Sequence, residues 1–184
     1  VELRAKTNFS FLTGASHPDE LLSQALKVNL SGMALTDING VYGMPRGYRV
    51  AKDFPGFKYI CGTELTFFDH APLTLIAKTR AAYARICQLI THAKLDKEKG
   101  EGCLFIQDIL MGVPATIAND LVVIPRTESE LDIHWGELKK LFHRNLYIPL
   151  TFYQDGHDET RVQKLLAIKN QWQLDFVASN DVEY

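Results

Sequence analysis

Three acidic residues each follow an apolar run that is typical of a buried strand. Carboxylates at strand ends are where α/β proteins build many of their ligand and metal sites. No histidine stands beside any of the three, so the pattern resembles a metal centre with most of its ligands exchanged. In chain order they are Asp37 after residues 32–36, Glu64 after residues 59–63 and Asp181 after residues 176–180.

The composition is that of an ordinary globular domain. The 184 residues are 46% hydrophobic and 23% charged, with a net charge of −2, which argues against broad nucleic-acid binding by this chain alone. No apolar run reaches the roughly 18 residues that a membrane span needs. Secretion is not indicated, because no basic segment is followed by a short apolar segment. The three widely spaced cysteines form no disulfide framework, so we expect a cytoplasmic protein.

Apolar runs alternate with helical periodicity about seven times along the chain. This alternation predicts an α/β fold whose parallel sheet is covered by helices. A barrel like a TIM barrel, with fewer units, fits best, and a doubly wound open sheet is the alternative. No glycine-rich phosphate-binding fingerprint follows any strand, which disfavours a nucleotide-binding Rossmann fold.

Several segments resemble successive motifs of the PHP (polymerase and histidinol phosphatase) domain. Residues 73–78 resemble the PHP domains of bacterial DNA polymerase III alpha subunits, and residues 8–18 are especially similar to the error-prone homologue. The resemblance implies a seven-stranded (β/α) distorted TIM-like barrel. It also implies that residues 1–184 are a single domain, the amino-terminal fragment of a longer polymerase chain. The segments with the general motifs are residues 3–12, 34–40, 59–64 and 177–184.

An intact PHP domain holds two or three metal ions through histidines and carboxylates, and these ions bind phosphate and activate water. Most of the corresponding positions here carry other residue types. Arg4 and Lys6 stand in place of two histidines, Ile38 follows Asp37 in place of a third, and Pro72 replaces a fourth. The vestigial metal-site positions are therefore Arg4, Lys6, Asp37, Ile38, Glu64, Pro72, Asp181 and Glu183.

Arg4 and Lys6 are candidates to replace the metal ions. Protonated arginine and lysine donate hydrogen bonds and cannot ligate a metal, but they can neutralise clustered carboxylates. We therefore expect a salt-bridged cluster, no catalytic residue and no cofactor. In the alternative, Asp37, Glu64 and Asp181 still bind a divalent ion such as Mn, Zn or Mg. Of the six histidines, only His70 would reach the site after a shift in register.

The resemblance predicts a degenerate PHP domain with a structural role in DNA replication or translesion repair. Its expected partners are the polymerase portion of the same chain and, through the full-length protein, DNA; a sliding clamp or other replication subunits are further candidates. Nucleotidyl transfer would belong to a part of the polypeptide outside this chain. The alternatives are an active metal-dependent phosphoesterase or 3′–5′ exonuclease and, third, a pure interaction module.

Overall fold

The computed structural model describes residues 1–95, 97–98, 102–127, 129 and 131–180. Strands and helices alternate along most of the chain. The strands are β1 (Glu2–Ala5), β2 (Gly32–Leu35), β3 (Lys58–Leu65), β4 (Leu73–Ala77), β5 (Leu121–Pro125), β6 (Tyr147–Leu150) and β7 (Asp175–Ala178). The helices are α1 (Pro18–Lys27), α2 (Met44–Ala51), α3 (Arg80–Lys94), α4 (Ile106–Leu110), α5 (Ala115–Ala118), α6 (Trp135–Phe142) and α7 (Asp158–Trp172), with a 3-10 turn at His143–Asn145.

The strands form a five-stranded sheet in the order β1-β2-β3-β4-β5 and a two-stranded sheet of β6 and β7. A parallel bridge between Val123 and Leu146 joins the two. The predicted α/β class is therefore confirmed. Among the described strands, however, hydrogen bonding runs through one curled five-stranded sheet and a separate pair, and a closed seven-stranded barrel is not confirmed.

The prediction of an all-parallel sheet was wrong at one strand. β4 runs antiparallel to both β3 and β5, whereas β1, β2 and β3 are parallel. A parallel return needs a long crossover, usually a helix. Residues 66–72 between β3 and β4 contain no helix, so β4 folds straight back along β3.

Alternate residues of the central strands are buried on opposite faces of the sheet. Leu73 and Leu75 of β4 face the large cluster formed with helices α3 to α7. Ile76 faces the opposite side, where it meets Ala34 and Ile124. Burial on both faces explains why these strands are nearly continuous apolar runs.

A smaller cluster packs α1 and α2 against β2, through residues such as Leu22, Leu35 and Met44. No helix among the described residues is long and apolar enough to span a membrane.

Candidate functional site

The carboxyl ends of β1, β2 and β3 bring the predicted site residues to one edge of the sheet. Ala5 lies opposite Leu35, and Leu35 lies opposite Cys61. Because the three strands are parallel, the residues that follow these positions in each strand emerge together. Lys6, Asp37 and Glu64 therefore share this edge.

Glu64 is buried and surrounded by basic side chains. Its Oε2 atom lies 3.4 Å from Lys6 Nζ and 3.9 Å from Arg4 Nη2. Its Oε1 atom lies 3.5 Å from Nη1 of Arg126. The side chains of Arg4 and Lys6 have 0% exposure, so these charges interact with little screening by water.

The sequence did not single out Arg126. It lies immediately after β5, and its backbone N–H donates to the Pro72 carbonyl at 2.8 Å. This bond holds the start of the Arg126 side chain beside β4. The signal in the sequence was a charged residue directly after a predicted strand.

The Asp37 carboxylate has a different environment, built by the loop after β1. Its Oδ1 atom accepts hydrogen bonds from the Thr7 amide at 2.7 Å and from the Ser10 hydroxyl at 2.7 Å. The Thr7 hydroxyl lies 2.9 Å from each carboxylate oxygen. Asp37 thus anchors a loop, whereas the Glu64 carboxylate lies beside Arg4 and Lys6.

Asp37 is also tied to β3 through its backbone. Its carbonyl accepts hydrogen bonds from the Thr63 hydroxyl at 2.9 Å and the Glu64 amide at 3.1 Å. The residue therefore connects the β1 loop with the strand that carries Glu64. The sequence pointed to neither Thr7 nor Ser10, although two hydroxyl residues just after a strand would suit a carboxylate.

Ile38 has no side-chain group that could ligate a metal. Ile38 donates its backbone N–H to the Ser10 hydroxyl at 3.0 Å, and its side chain lines a surface cavity. Asp181 and Glu183 lie outside the described residues.

His70 is fully buried, and backbone groups occupy both of its ring nitrogens. Nε2 accepts the His134 amide at 3.0 Å, and Nδ1 lies 2.6 Å from the Ala71 carbonyl. The neutral ring with hydrogen on Nδ1 satisfies both contacts. Burial lowers the pKa of His70, which favours this neutral form. The ring is therefore engaged in the fold and does not substitute for a missing ligand.

Among the described residues, the donor set around Glu64 does not fit a divalent metal. Within the described ranges, no group of three or more His, Cys, Asp or Glu side chains is placed to hold a metal ion. A cation bound to Glu64 would add positive charge beside Lys6 and Arg4, whose protonated groups offer no lone pair.

The fold of this chain resembles the folds of other solved proteins. It superposes on a proposed metal-dependent phosphoesterase from Bifidobacterium adolescentis with a TM-score of 0.64, 16% identity and coverage of 98% of this chain and 86% of that one. It superposes on a lesion-specific endonuclease from Pyrococcus furiosus with a TM-score of 0.54, 14% identity and coverage of 98% and 48%. At these identities the likeness concerns the fold alone.

The chain belongs to the PHP domain family, which matches residues 2–151. It is 31% identical to an error-prone DNA polymerase from Rhodopirellula baltica, over 100% of this chain and 17% of that protein. It is 36% identical to an error-prone DNA polymerase from Methylococcus capsulatus, over 99% of this chain and 17% of that protein. The predicted family is therefore confirmed, and the chain spans about a sixth of the length of these relatives.

Proposed function

We propose that this chain is a PHP domain without metal-dependent catalysis, part of an error-prone DNA polymerase of the polymerase III alpha type. Its similarity to one segment of much longer polymerases supports this assignment. In this proposal the domain stabilises the polymerase portion of the same polypeptide, which carries out nucleotidyl transfer on DNA. A sliding clamp or other replication subunits are further partners to test.

The observation that carries the proposal is the environment of Glu64. Lys6, Arg4 and Arg126 approach its two carboxylate oxygens. Of these residues, Arg4, Lys6 and Glu64 stand at positions that the resemblance assigns to the metal centre. Buried ion pairs of this kind hold strands together without offering an open coordination site. We infer that the basic side chains have taken over the charge-neutralising role of the metals.

We also infer that the seven strands surround one common interior, as the family pattern implies. Each strand has at least one side chain that belongs to the inner apolar cluster or packs against it. These residues are Leu3, Ala34, Ile60, Ile76, Val122, Ile124, Tyr147 and Val177.

Metal analysis of the purified chain tests the proposal. After incubation with Mn²⁺ or Zn²⁺ and desalting, we expect less than stoichiometric metal and no hydrolysis of bis(p-nitrophenyl) phosphate. A variant combining Arg4→His, Lys6→His and Ile38→His restores imidazole at three positions of the family pattern. This triple variant is the comparison for metal retention, and we expect it to retain more metal than the wild-type chain.

Stoichiometric metal in the wild-type chain, lost in Asp37→Ala or the milder Asp37→Asn, would contradict the proposal. Metal-dependent phosphodiester hydrolysis by the same preparation would instead support the alternative, an active phosphoesterase or 3′–5′ exonuclease with an altered site.

A further inference from the structure

The loop after β1 is held in one conformation although its tip projects into solvent. Ser10 N donates to the Thr7 carbonyl and Gly14 N to the Ser10 carbonyl, both at 2.9 Å. A Cβ atom at Gly14 would clash with the Thr7 carbonyl, so the close turn requires glycine. Together with the Asp37 anchor, these contacts fix the backbone that carries Phe9, Phe11 and Leu12.

The side chains at this fixed tip are unusually apolar for an exposed loop. Phe11 is 84% exposed and Leu12 is 86% exposed. Tyr42, on the loop after β2, is 57% exposed, and its ring centroid lies 6.1 Å from that of Phe9. Aromatic rings presented in this way offer flat faces that a ligand can cover.

These rings border a cavity of about 390 Å³ that also contains basic groups. We call it the aromatic cavity; its lining includes Phe9, Phe11, Ile38, Tyr42, Lys94 and Lys97. The Lys94 ammonium donates to the Tyr42 hydroxyl at 2.8 Å and lies 4.8 Å from the centre of its ring. One acid, Glu98, also lines the cavity. The volume of the aromatic cavity falls in the range of about 300–1,000 Å³ that is usual for small-ligand sites.

We propose that the aromatic cavity binds an unpaired base of single-stranded DNA. The base stacks on Phe11 or Tyr42, and the adjoining phosphate lies near Lys94 and Lys97. Aromatic faces combined with nearby cations are the means by which proteins bind single strands without reading sequence. Paired bases have their faces covered by their neighbours, so a duplex cannot stack in the cavity. The inference rests on the proposed function, in which the domain is part of a DNA polymerase.

The position of Asp37 explains why the aromatic cavity has a fixed conformation. Its carboxylate accepts hydrogen bonds from Thr7 and Ser10. Thr7 precedes Phe9 in the loop, and Ser10 lies between Phe9 and Phe11. The apolar Ile38 side chain lines the same cavity. The family pattern assigns Asp37 to a metal, but here Asp37 fixes the conformation of the aromatic cavity. A site that is already ordered lowers the entropy cost of binding DNA.

Fluorescence anisotropy with a labelled oligothymidylate of about 12 nucleotides tests the proposal. We expect the 184-residue chain to bind this probe and to bind a duplex of equal length more weakly. Phe11→Ala should raise Kd roughly 5- to 150-fold, the range found when a stacking aromatic is removed. Lys94→Gln should reduce the slope of log Kd against log salt by about 0.7, as expected for one lost phosphate contact on a single strand.

Two matched control variants change residues that precede β3, at the end of the sheet opposite to the aromatic cavity. Phe54→Ala removes another exposed aromatic ring and Lys52→Gln another exposed cation, and both should leave Kd unchanged. Absence of binding by the wild-type chain, or equal Kd values for Phe11→Ala and Phe54→Ala, would overturn the proposal.

A Phe11→Ala variant that binds DNA normally but binds the rest of the polymerase more weakly would also overturn it, since the loop would then be a protein interface. The metal experiment above is independent of these results. A chain that binds neither metal nor DNA contradicts only the present inference, whereas a chain that binds metal contradicts the proposed function.

Discussion

Glu64 and the cations around it illustrate why a buried ion pair is costly to disrupt. Removing charged groups from water costs several kcal/mol each, and only close partners of opposite sign offset that cost. Lys6, Arg4 and Arg126 supply such partners at 3.4–3.9 Å. All three cations approach the Glu64 carboxylate, so the arrangement is sensitive to its loss.

Glu64→Gln should lower the free energy of unfolding by about 3–5 kcal/mol, because it leaves buried cations without this compensating charge. Urea denaturation followed by circular dichroism measures the effect. The control is Glu159→Gln at an exposed position, which should change stability by less than about 0.5 kcal/mol. A Glu64→Gln variant as stable as this control would show that the ion pairs contribute nothing to the fold.

Asp37→Ala should destabilise the chain by about 3 kcal/mol or more, since hydrogen bonds to a charged group contribute roughly 1.5–3 kcal/mol each. The variant leaves the Thr7 amide and the Thr7 and Ser10 hydroxyls without their acceptor. Limited proteolysis should then cut the loop after β1 faster, and this is the specific readout. Asp53→Ala at an exposed site is the control, and unchanged cleavage of the loop would refute the anchoring role.

The sequence pointed to the acids of the site and to Arg4 and Lys6, but it did not point to Arg126, Thr7 or Ser10. Asp37 and Glu64 follow apolar strands, and that local pattern is visible without a structure. Their separate environments depend on which groups converge from distant parts of the chain. Arg126 reaches Glu64 only because β4 and β5 follow β3 in the sheet, and Ser10 reaches Asp37 only because its loop folds back.

At the scale of elements, His70 links the connection between β3 and β4 to the segment before α6. Its ring accepts the His134 amide, and the adjacent Ala71 amide donates to the Asp132 carbonyl at 3.1 Å. The His134 ring lies edge-on at a centroid distance of 5.2 Å. A protonated His70 could not accept the His134 amide, so this link requires the neutral ring.

His70 should therefore make stability depend on pH. Burial is the main cause that lowers its pKa, and the neighbouring His134 lowers it further, while the Ala71 carbonyl, Asp69 and Asp132 oppose this. A lowered pKa means that the unfolded chain binds the proton more readily. The stabilisation from the neutral His70 ring is thus fully present above about pH 6.5, the ordinary pKa of histidine in an unfolded chain. It is lost as the pH falls through the lower pKa of His70 in the folded chain.

The measurement compares His70→Gln with the wild type between about pH 7.5 and pH 5. Glutamine does not titrate, so the stability advantage of the wild type should shrink as pH falls. At neutral pH we expect the variant to be less stable by about 1–3 kcal/mol, from the lost hydrogen bonding. His157→Gln, the same substitution at an exposed position, is the matched control. A constant gap for His70→Gln would contradict the prediction.

Most elements could be predicted from sequence, but their pairing directions could not. The long apolar stripe of α3 and the buried runs of β2 to β5 are strong local signals. The reversal of β4 depends on the short connection before it, and a two-faced apolar strand looks the same in either direction. Hydrophobic pattern alone therefore predicted a parallel sheet where β4 is antiparallel.

For the whole molecule, stability should be uneven across the two sheets. β3 has a hydrogen-bonded neighbour on each side, and its carboxyl-terminal half is buried. Among the described strands, β7 pairs only with β6, and all four of its residues are partly or fully exposed. One backbone bridge and the buried side chain of Leu146 join the β6–β7 pair to β5. Tyr147 and Val177 also pack against the cluster that contains Ile124.

Backbone amides of β7 should therefore exchange with solvent through local opening, before the central strands open. Hydrogen exchange followed by mass spectrometry should give β7 an opening free energy about 1–3 kcal/mol below that of β3 and β4. Leu146→Ala, which creates a cavity at the junction of the sheets, should lower protection in β6 and β7 by more than in β1 and β2. Equal protection of β7 and β3, or an equal loss of protection throughout the chain in Leu146→Ala, would mean that the two sheets open as one cooperative unit.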